Sequence, residues 1–254
     1  PLGVFASGVT PQGSPRLSAT VVLIRRAKAL EFRFFEIYRN AEYLLLLAKG
    51  ALLSGGITVL SATFGLIIAF AIAGVRFARV PVLTQLTAAY VEFIRNTPLI
   101  VQLFFIAFGL PLLLGYEWPF WAHALLSLSI NFSGYFAEIL RAGLENADSG
   151  QREAARALGL RPRPIFFLVI TPVAIATMFA SLNSQFIFLF LTTGIISEIG
   201  VADLTQAGLY IDSRTFRTFE VFLVLTAIYI GISMLFKAVL ALVERRLFPW
   251  KFVR

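Results

Sequence analysis

Two acid–base pairs stand at helical spacing in apolar surroundings, Glu92 with Arg95 and Glu138 with Arg141. Side chains three apart share a helix face, so each pair is expected to close an ion pair. Ionised groups inside a bilayer mark pathways and relays, while the same pairs at span ends serve as interfacial anchors; both readings stand. A third cluster is uncharged. Thr177, Ser181, Ser184 and Gln185 recur at helical spacings with Asn183 beside them. A zwitterion leaving water needs hydrogen-bond partners, so this stripe is a candidate substrate path. Hydroxyl and small residues also pack helices together in lipid, and that reading stays open too. His123, near Trp121, reads as a hydrogen-bonded packing residue, with a proton relay as the alternative.

Other chemistry is excluded. The sequence has no cysteine and a single histidine, which removes thiol nucleophiles, disulfides and His-cluster metal centres. It contains no Gly-x-x-x-x-Gly-Lys-Ser/Thr loop to cradle phosphates. The chain is expected to be a non-enzyme with no cofactor of its own.

The elements that position these residues follow from composition. Of 254 residues 58% are hydrophobic and 14% charged, with mean hydropathy +0.83. Soluble domains carry about 25% charged residues, so lipid is the solvent for most of this exterior. Residues 51–74 and 165–191 contain no charge, and roughly 20 apolar residues of helix cross a bilayer. Such runs are too long for barrel strands and lack a period of two, which leaves helices as the structure that satisfies its own backbone. The expected fold is all-α, a polytopic transmembrane bundle of about five spans. The spans are expected at 51–74, Ala88–Leu113, Pro119–Leu140, 165–191 (kinked near Pro172) and 221–243, the last with Lys237 snorkelling.

Charge orients the bundle. The net charge of +8 reads as topology rather than nucleic-acid binding, because Lys and Arg gather on the cytoplasmic side. Arg76 and Arg79 follow the first span, Arg141 to Arg163 the third, and Arg245 to Arg254 the fifth; Glu117, Glu198, Asp203, Asp212 and Glu220 lie on the opposite side with only Arg214 and Arg217. Residues 1–49 divide into a Gly/Pro/Ser-rich tail, expected to be disordered, and an aromatic and basic lead-in expected to lie in the interface. The Lys and Arg of this segment fall outside under the same topology, against the trend.

The loop after the third span is built as a helix with hard ends. Asp148 or Ser149 can cap its start, Asp148 with Gln151 at capping-box spacing. Ala154, Ala155, Ala157 and Leu158 are strong formers; Gly159 can end it left-handed, and Pro162 and Pro164 keep it from resuming. An isolated helix this short is marginal in water and is better explained by docking on something.

The run Glu153-Ala154-Ala155, then Gly159, then Val169-Ile170-Thr171-Pro172 resembles the EAA motif of ABC importer permeases, with Val169 and Thr171 in place of the usual Ile and Leu. Tyr135 to Gly143, Gly150-Gln151, and Phe93 to Leu103 look like the polar amino-acid branch of that family, related to histidine and glutamine permeases. The resemblance implies a permease domain over 50–249 with a cytoplasmic coupling loop at 142–164 and a short cytoplasmic tail at 250–254. It implies a coupling helix in which Glu153, Ala154, Ala155 and Gly159 meet an ATP-binding cassette subunit that holds the ATP and Mg. It further implies a second permease subunit, identical or paralogous, an extracytoplasmic substrate-binding protein, and a bacterial inner membrane. Many relatives carry Lys-Asp-Thr-Ser-Leu after the fourth span, where this chain reads Leu191-Thr192-Thr193-Gly194-Ile195. The competing reading is a secondary transporter driven by an ion gradient, which internal repeats and broken midplane helices would favour.

Overall fold

Asn40 opens the first long helix, its side chain accepting the Glu42 amide at 2.9 Å, and α1 runs unbroken from Ala41 to Phe77. A computed structural model describes residues 34–146 and 149–251; the tail, most of the lead-in, the Asp148 cap and the last C-terminal residues lie outside them. Residues 41–49, expected as interfacial lead-in, are instead the opening turns of α1. The helix buries a face of mostly small residues, among them Gly50, Ser54, Thr58, Ser61, Ala62, Gly65, Ala69 and Ala73. Small residues let backbones approach in lipid, where no hydrophobic force drives helices together. At Gly50 the approach is closest, since a Cβ there would stand 2.7 Å from the Asp203 carbonyl oxygen.

The expected second span is not one helix. Helix α2 (Leu83–Asn96) and helix α3 (Leu99–Leu114) meet at 104°. Proline disfavours the helical conformation in the residue before it and has no N–H to give; Thr97 lies extended at φ −106°, ψ 131° ahead of Pro98. Within α3, residues 105–109 form a π turn.

Helix α4 (Phe120–Asn146) is the centre of the bundle and packs most extensively on α1. Ala124, Ser127, Leu128, Asn131, Phe132, Ser133, Phe136 and Ala137 are all buried. A helix shielded by its neighbours can carry Ser, Asn and His at modest cost, and it is accordingly less apolar than the lipid-facing spans. Helix α5 (Ser149–Ala157) follows. Pro162 then opens the next helix at its first position, where a missing N–H costs nothing; α6 runs Pro162–Ile199. Ahead of Pro172 the chain widens into a π turn over Ile165–Ile170, with the Thr171 N–H bonded to the Phe166 oxygen five residues back. That added residue accommodates the proline where a kink was expected. Helix α6 closes in a 3-10 segment, Thr193–Ile199. Helix α7 (Leu204–Thr215) is short, and α8 (Thr218–Leu247) is the last long helix.

By length and composition α1, α6 and α8 can cross a membrane, and the bent α2–α3 pair is a fourth candidate. Helix α4 has 27 residues, about 40 Å of rise, and its buried polar residues are what lower its hydropathy. The two ends of the bundle differ in charge. Arg76 of α1 reaches Glu138 of α4 at 3.5 Å, and the Arg152 guanidinium of α5 lies 5.2 Å above the Phe77 ring. The basic ends of α1, α4 and α5 therefore meet. Ser54 accepts the Leu204 N–H at 3.2 Å, about 33 Å along α1 from Arg76, close to the thickness of a hydrocarbon core. Asp203, whose neighbour Leu204 makes that bond, lies at the second end with the start of α7.

Candidate functional site

Helix α5 ends as its sequence dictates. Gly159 is left-handed at φ +75°; its N–H bonds to the Arg156 oxygen at 2.9 Å and the Leu160 N–H to the Ala155 oxygen at 3.2 Å. This paired closure satisfies the carbonyls that a helix end leaves open. The helix has two faces. Ala155 is buried against the bundle core, and Arg152 covers Phe77, whose ring packs at a tilt against Phe166, 4.7 Å between centroids. Glu153, Ala154, Arg156 and Leu158 face outward, Leu158 being 81% exposed. Of the residues expected to meet a partner, Glu153 and Ala154 present themselves at the surface. Gly159 shapes the turn, while Ala155 packs inward and holds α5 to its own chain.

The polar stripe on α6 is divided. Thr177, Ser181 and Ser184 share one exposed face. Two of the hydroxyls return to their own backbone, Thr177 Oγ1 to the Ala174 oxygen at 2.8 Å and Ser184 Oγ to the Ala180 oxygen at 3.0 Å. Asn183 and Gln185 are half-buried, and Gln185 Nε2 has no hydrogen-bond partner. One turn beyond Ser184 the face continues through Phe188 and Thr192 into a cavity of about 350 Å³ at the α2–α3 break. Its other walls include Arg95, Asn96, Thr97, Asn131 and Tyr135. A larger hollow of about 540 Å³ between α1 and α4, at Trp118 and Trp121, is lined by apolar groups apart from Ser129. It offers a zwitterion little to bind.

The break itself is secured by side chains. Pro98 cannot donate to the Ile94 carbonyl four residues back, and Gln102 does so in its place: its Nε2 donates to Ile94 O at 2.9 Å and Thr97 O at 3.2 Å. Asn131 Nδ2 donates in turn to Gln102 Oε1 at 3.1 Å. Both amides are buried. Tyr90 and Ser133 add a 2.7 Å hydrogen bond between α2 and α4. Gln102, Asn131 and Tyr135 were not singled out by spacing, though a glutamine four residues after an in-span proline is a readable sign.

The two charged pairs differ. Arg141 Nε donates to both Glu138 oxygens at 3.1 and 3.2 Å. Glu92 and Arg95 are exposed and no ion pair joins them; the Arg95 guanidinium lies 5.7 Å above the Tyr135 ring instead. His123 is buried with neither ring nitrogen hydrogen-bonded, so the hydrogen bond expected of it is absent. Its ring stacks on Tyr116 at 5.7 Å beside Trp118 and Phe120, which is a packing role. At the opposite end Asp203 caps α7, Oδ1 accepting the Gln206 N–H at 2.8 Å while Oδ2 has no partner. Burial pushes its carboxyl up to about 6. Among the described residues no group of acids and histidine could hold a metal.

Residues 51–249 match the family described as binding-protein-dependent transport system inner membrane component. The L-cystine transport system permease protein TcyL of Bacillus subtilis is 30% identical over 198 residues, 75% of this chain and 82% of that one. The glutamine transport system permease protein GlnP of Escherichia coli K12 is 34% identical over 205 residues, 80% and 93%. Among solved structures, an amino acid ABC transporter crystallised with histidines superimposes with a TM-score of 0.76 at 35% identity, covering 85% of this chain and 99% of that one. The MetNI methionine ABC transporter, at 20% identity and a TM-score of 0.71, covers 82% and 99% and shares the fold.

Proposed function

Because this chain belongs to the family of binding-protein-dependent transport system inner membrane components, we propose that it is the permease subunit of an ATP-driven importer of polar amino acids in a bacterial inner membrane. It is a transport subunit and not an enzyme; ATP and Mg would sit on a cytoplasmic cassette subunit docked at α5. A second permease copy or paralogue would complete the pathway, and an extracytoplasmic binding protein would deliver substrate. The observation that carries this reading is the two-faced α5, fixed to the bundle by Ala155 and Arg152 and presenting Glu153 and Leu158 outward.

The substrate class rests on the names of the relatives and on the cavity at the helix break. Arg95 supplies a cation for a carboxylate, Asn96, Thr97 and Asn131 supply neutral polar groups, and Phe132, Tyr135 and Phe188 supply apolar wall. A broken helix near the centre of a span is where membrane proteins expose backbone groups to a polar ligand. Its volume falls at the lower end of the roughly 300–1,000 Å³ usual for ligand sites. The test of docking is purification in mild detergent. The wild type is expected to carry a cassette ATPase, and a Glu153→Lys variant that inserts normally is expected to lose it. A variant that keeps its ATPase in full would remove Glu153 from the interface.

A further inference from the structure

Glu138 is one carboxylate among three guanidinium groups drawn from three helices. Arg141, one turn on along α4, grips both oxygens. Arg76, at the end of α1, reaches Oε2 at 3.5 Å. Arg95, on α2, rests 5.7 Å above the ring of Tyr135, which stands three residues before Glu138 on α4 and so shares its helix face. Each outer arginine continues toward a different place. Arg95 and Tyr135 line the cavity at the helix break. Arg76 is followed in the chain by Phe77, which packs on Phe166 and lies under Arg152 of α5. The cavity and the docking helix are thus linked through one face of α4, where Tyr135 holds Arg95 and Glu138 holds Arg76.

The two contacts to Glu138 are unequal. Arg141 is bidentate and on the same helix, whereas Arg76 makes a single long contact between helices. A carboxylate held this way can release Arg76 without losing its ion pair with Arg141, and an exchange of that kind is what coupling between distant sites requires. We infer that Glu138 is a positioning residue that links movement of α5 to Arg95 and the cavity, through exchange of its contact with Arg76. This rests on the importer reading above. Displacement of α5 by the cassette subunits draws on Phe77 and Arg76. Glu138, relieved of one cation, then acts more strongly on Arg95 and competes with a substrate carboxylate for it.

The experiment uses the assembled transporter in proteoliposomes, with ATP hydrolysis measured with and without loaded binding protein. Glu138→Gln is expected to keep its cassette subunits and its basal hydrolysis, while stimulation by loaded binding protein falls roughly five-fold or more, the lower end of ordinary coupling between sites. Arg76→Gln leaves the Arg141 pair in place and is expected to uncouple to the same degree. The double variant is expected to be no worse than either single one. Basal and stimulated rates falling together would assign Glu138 a merely structural role and overturn the inference, as would unchanged stimulation or additive losses in the double variant. If Glu138→Gln fails to insert, Arg76→Gln decides alone by the same ratio. Absence of any ATPase from the wild-type complex would instead overturn the importer reading, and this inference with it.

Discussion

Replacing Gln102 by Met tests how the helix break is held. Met has nearly the same length and no polar terminus, so the substitution strands three groups: the Ile94 carbonyl, the Thr97 carbonyl and Asn131 Nδ2, now bonded at 2.9, 3.2 and 3.1 Å. Hydrogen bonds measured within membrane proteins average about 0.6 kcal/mol each, which sets a floor near 2 kcal/mol for three. An unsatisfied buried group costs about 1–3 kcal/mol, and Gln102 and Asn131 are both buried. The expected loss is therefore about 2–4 kcal/mol, read as reversible unfolding in mixed micelles. Pro98→Ala supplies the discriminating background, because it frees Thr97 to turn helical and lets an alanine N–H return to the Ile94 oxygen. In that background Gln102→Met should cost at least about 1 kcal/mol less, a non-additivity expected of groups that share a partner. Equal costs in both backgrounds would refute the claim that Gln102 replaces the donor that proline lacks.

Two further expectations follow from local geometry. Gly159→Ala places a Cβ in open space but in the left-handed region, at a cost of about 1–2 kcal/mol. The Leu160 amide should exchange at least about five-fold faster, and Gly159→Asn should recover much of the protection; unchanged exchange in the alanine variant would contradict the closure described. Asp203 has its folded carboxyl raised to about 6 by burial, above its unfolded value. The stability it contributes is therefore complete below about pH 4 and lost as pH rises through about 6, a difference on the order of 3 kcal/mol. Asp203→Asn keeps the cap to Gln206 and should flatten the stability profile across that window; a profile as steep as the wild type would show that another group titrates there.

The helical class and its charge asymmetry were legible in sequence because they depend on averages. Uncharged runs long enough to span are visible at 51–74 and 165–191, and the Arg-rich loops alternate along the chain. The ends of α5 were legible because a left-handed glycine followed by proline is local chemistry. The break at Thr97-Pro98 was lost in an apolar run whose mean hydropathy passes over one proline, although the dipeptide itself disfavours helix. Spacing located the Glu138–Arg141 pair, three apart, but could not show Arg76, 62 residues earlier in the chain. For Glu92 and Arg95 the same spacing misled, because the Tyr135 ring of a neighbouring helix takes the guanidinium. Spacing shows the hydroxyls of the α6 stripe but not that Thr177 and Ser184 bond to carbonyls one turn back, a local competition that periodicity does not record.

Uptake into proteoliposomes holding the purified complex and its binding protein tests the central claim most directly. Radiolabelled glutamine, histidine and cystine would each be followed with ATP inside or outside the vesicle, and with ion gradients collapsed by ionophores. The account predicts that at least one of these accumulates only when ATP is available to the cassette subunits, and that ionophores leave the rate unchanged. Accumulation that needs an ion gradient and proceeds without ATP would contradict it and return the chain to the gradient-driven reading.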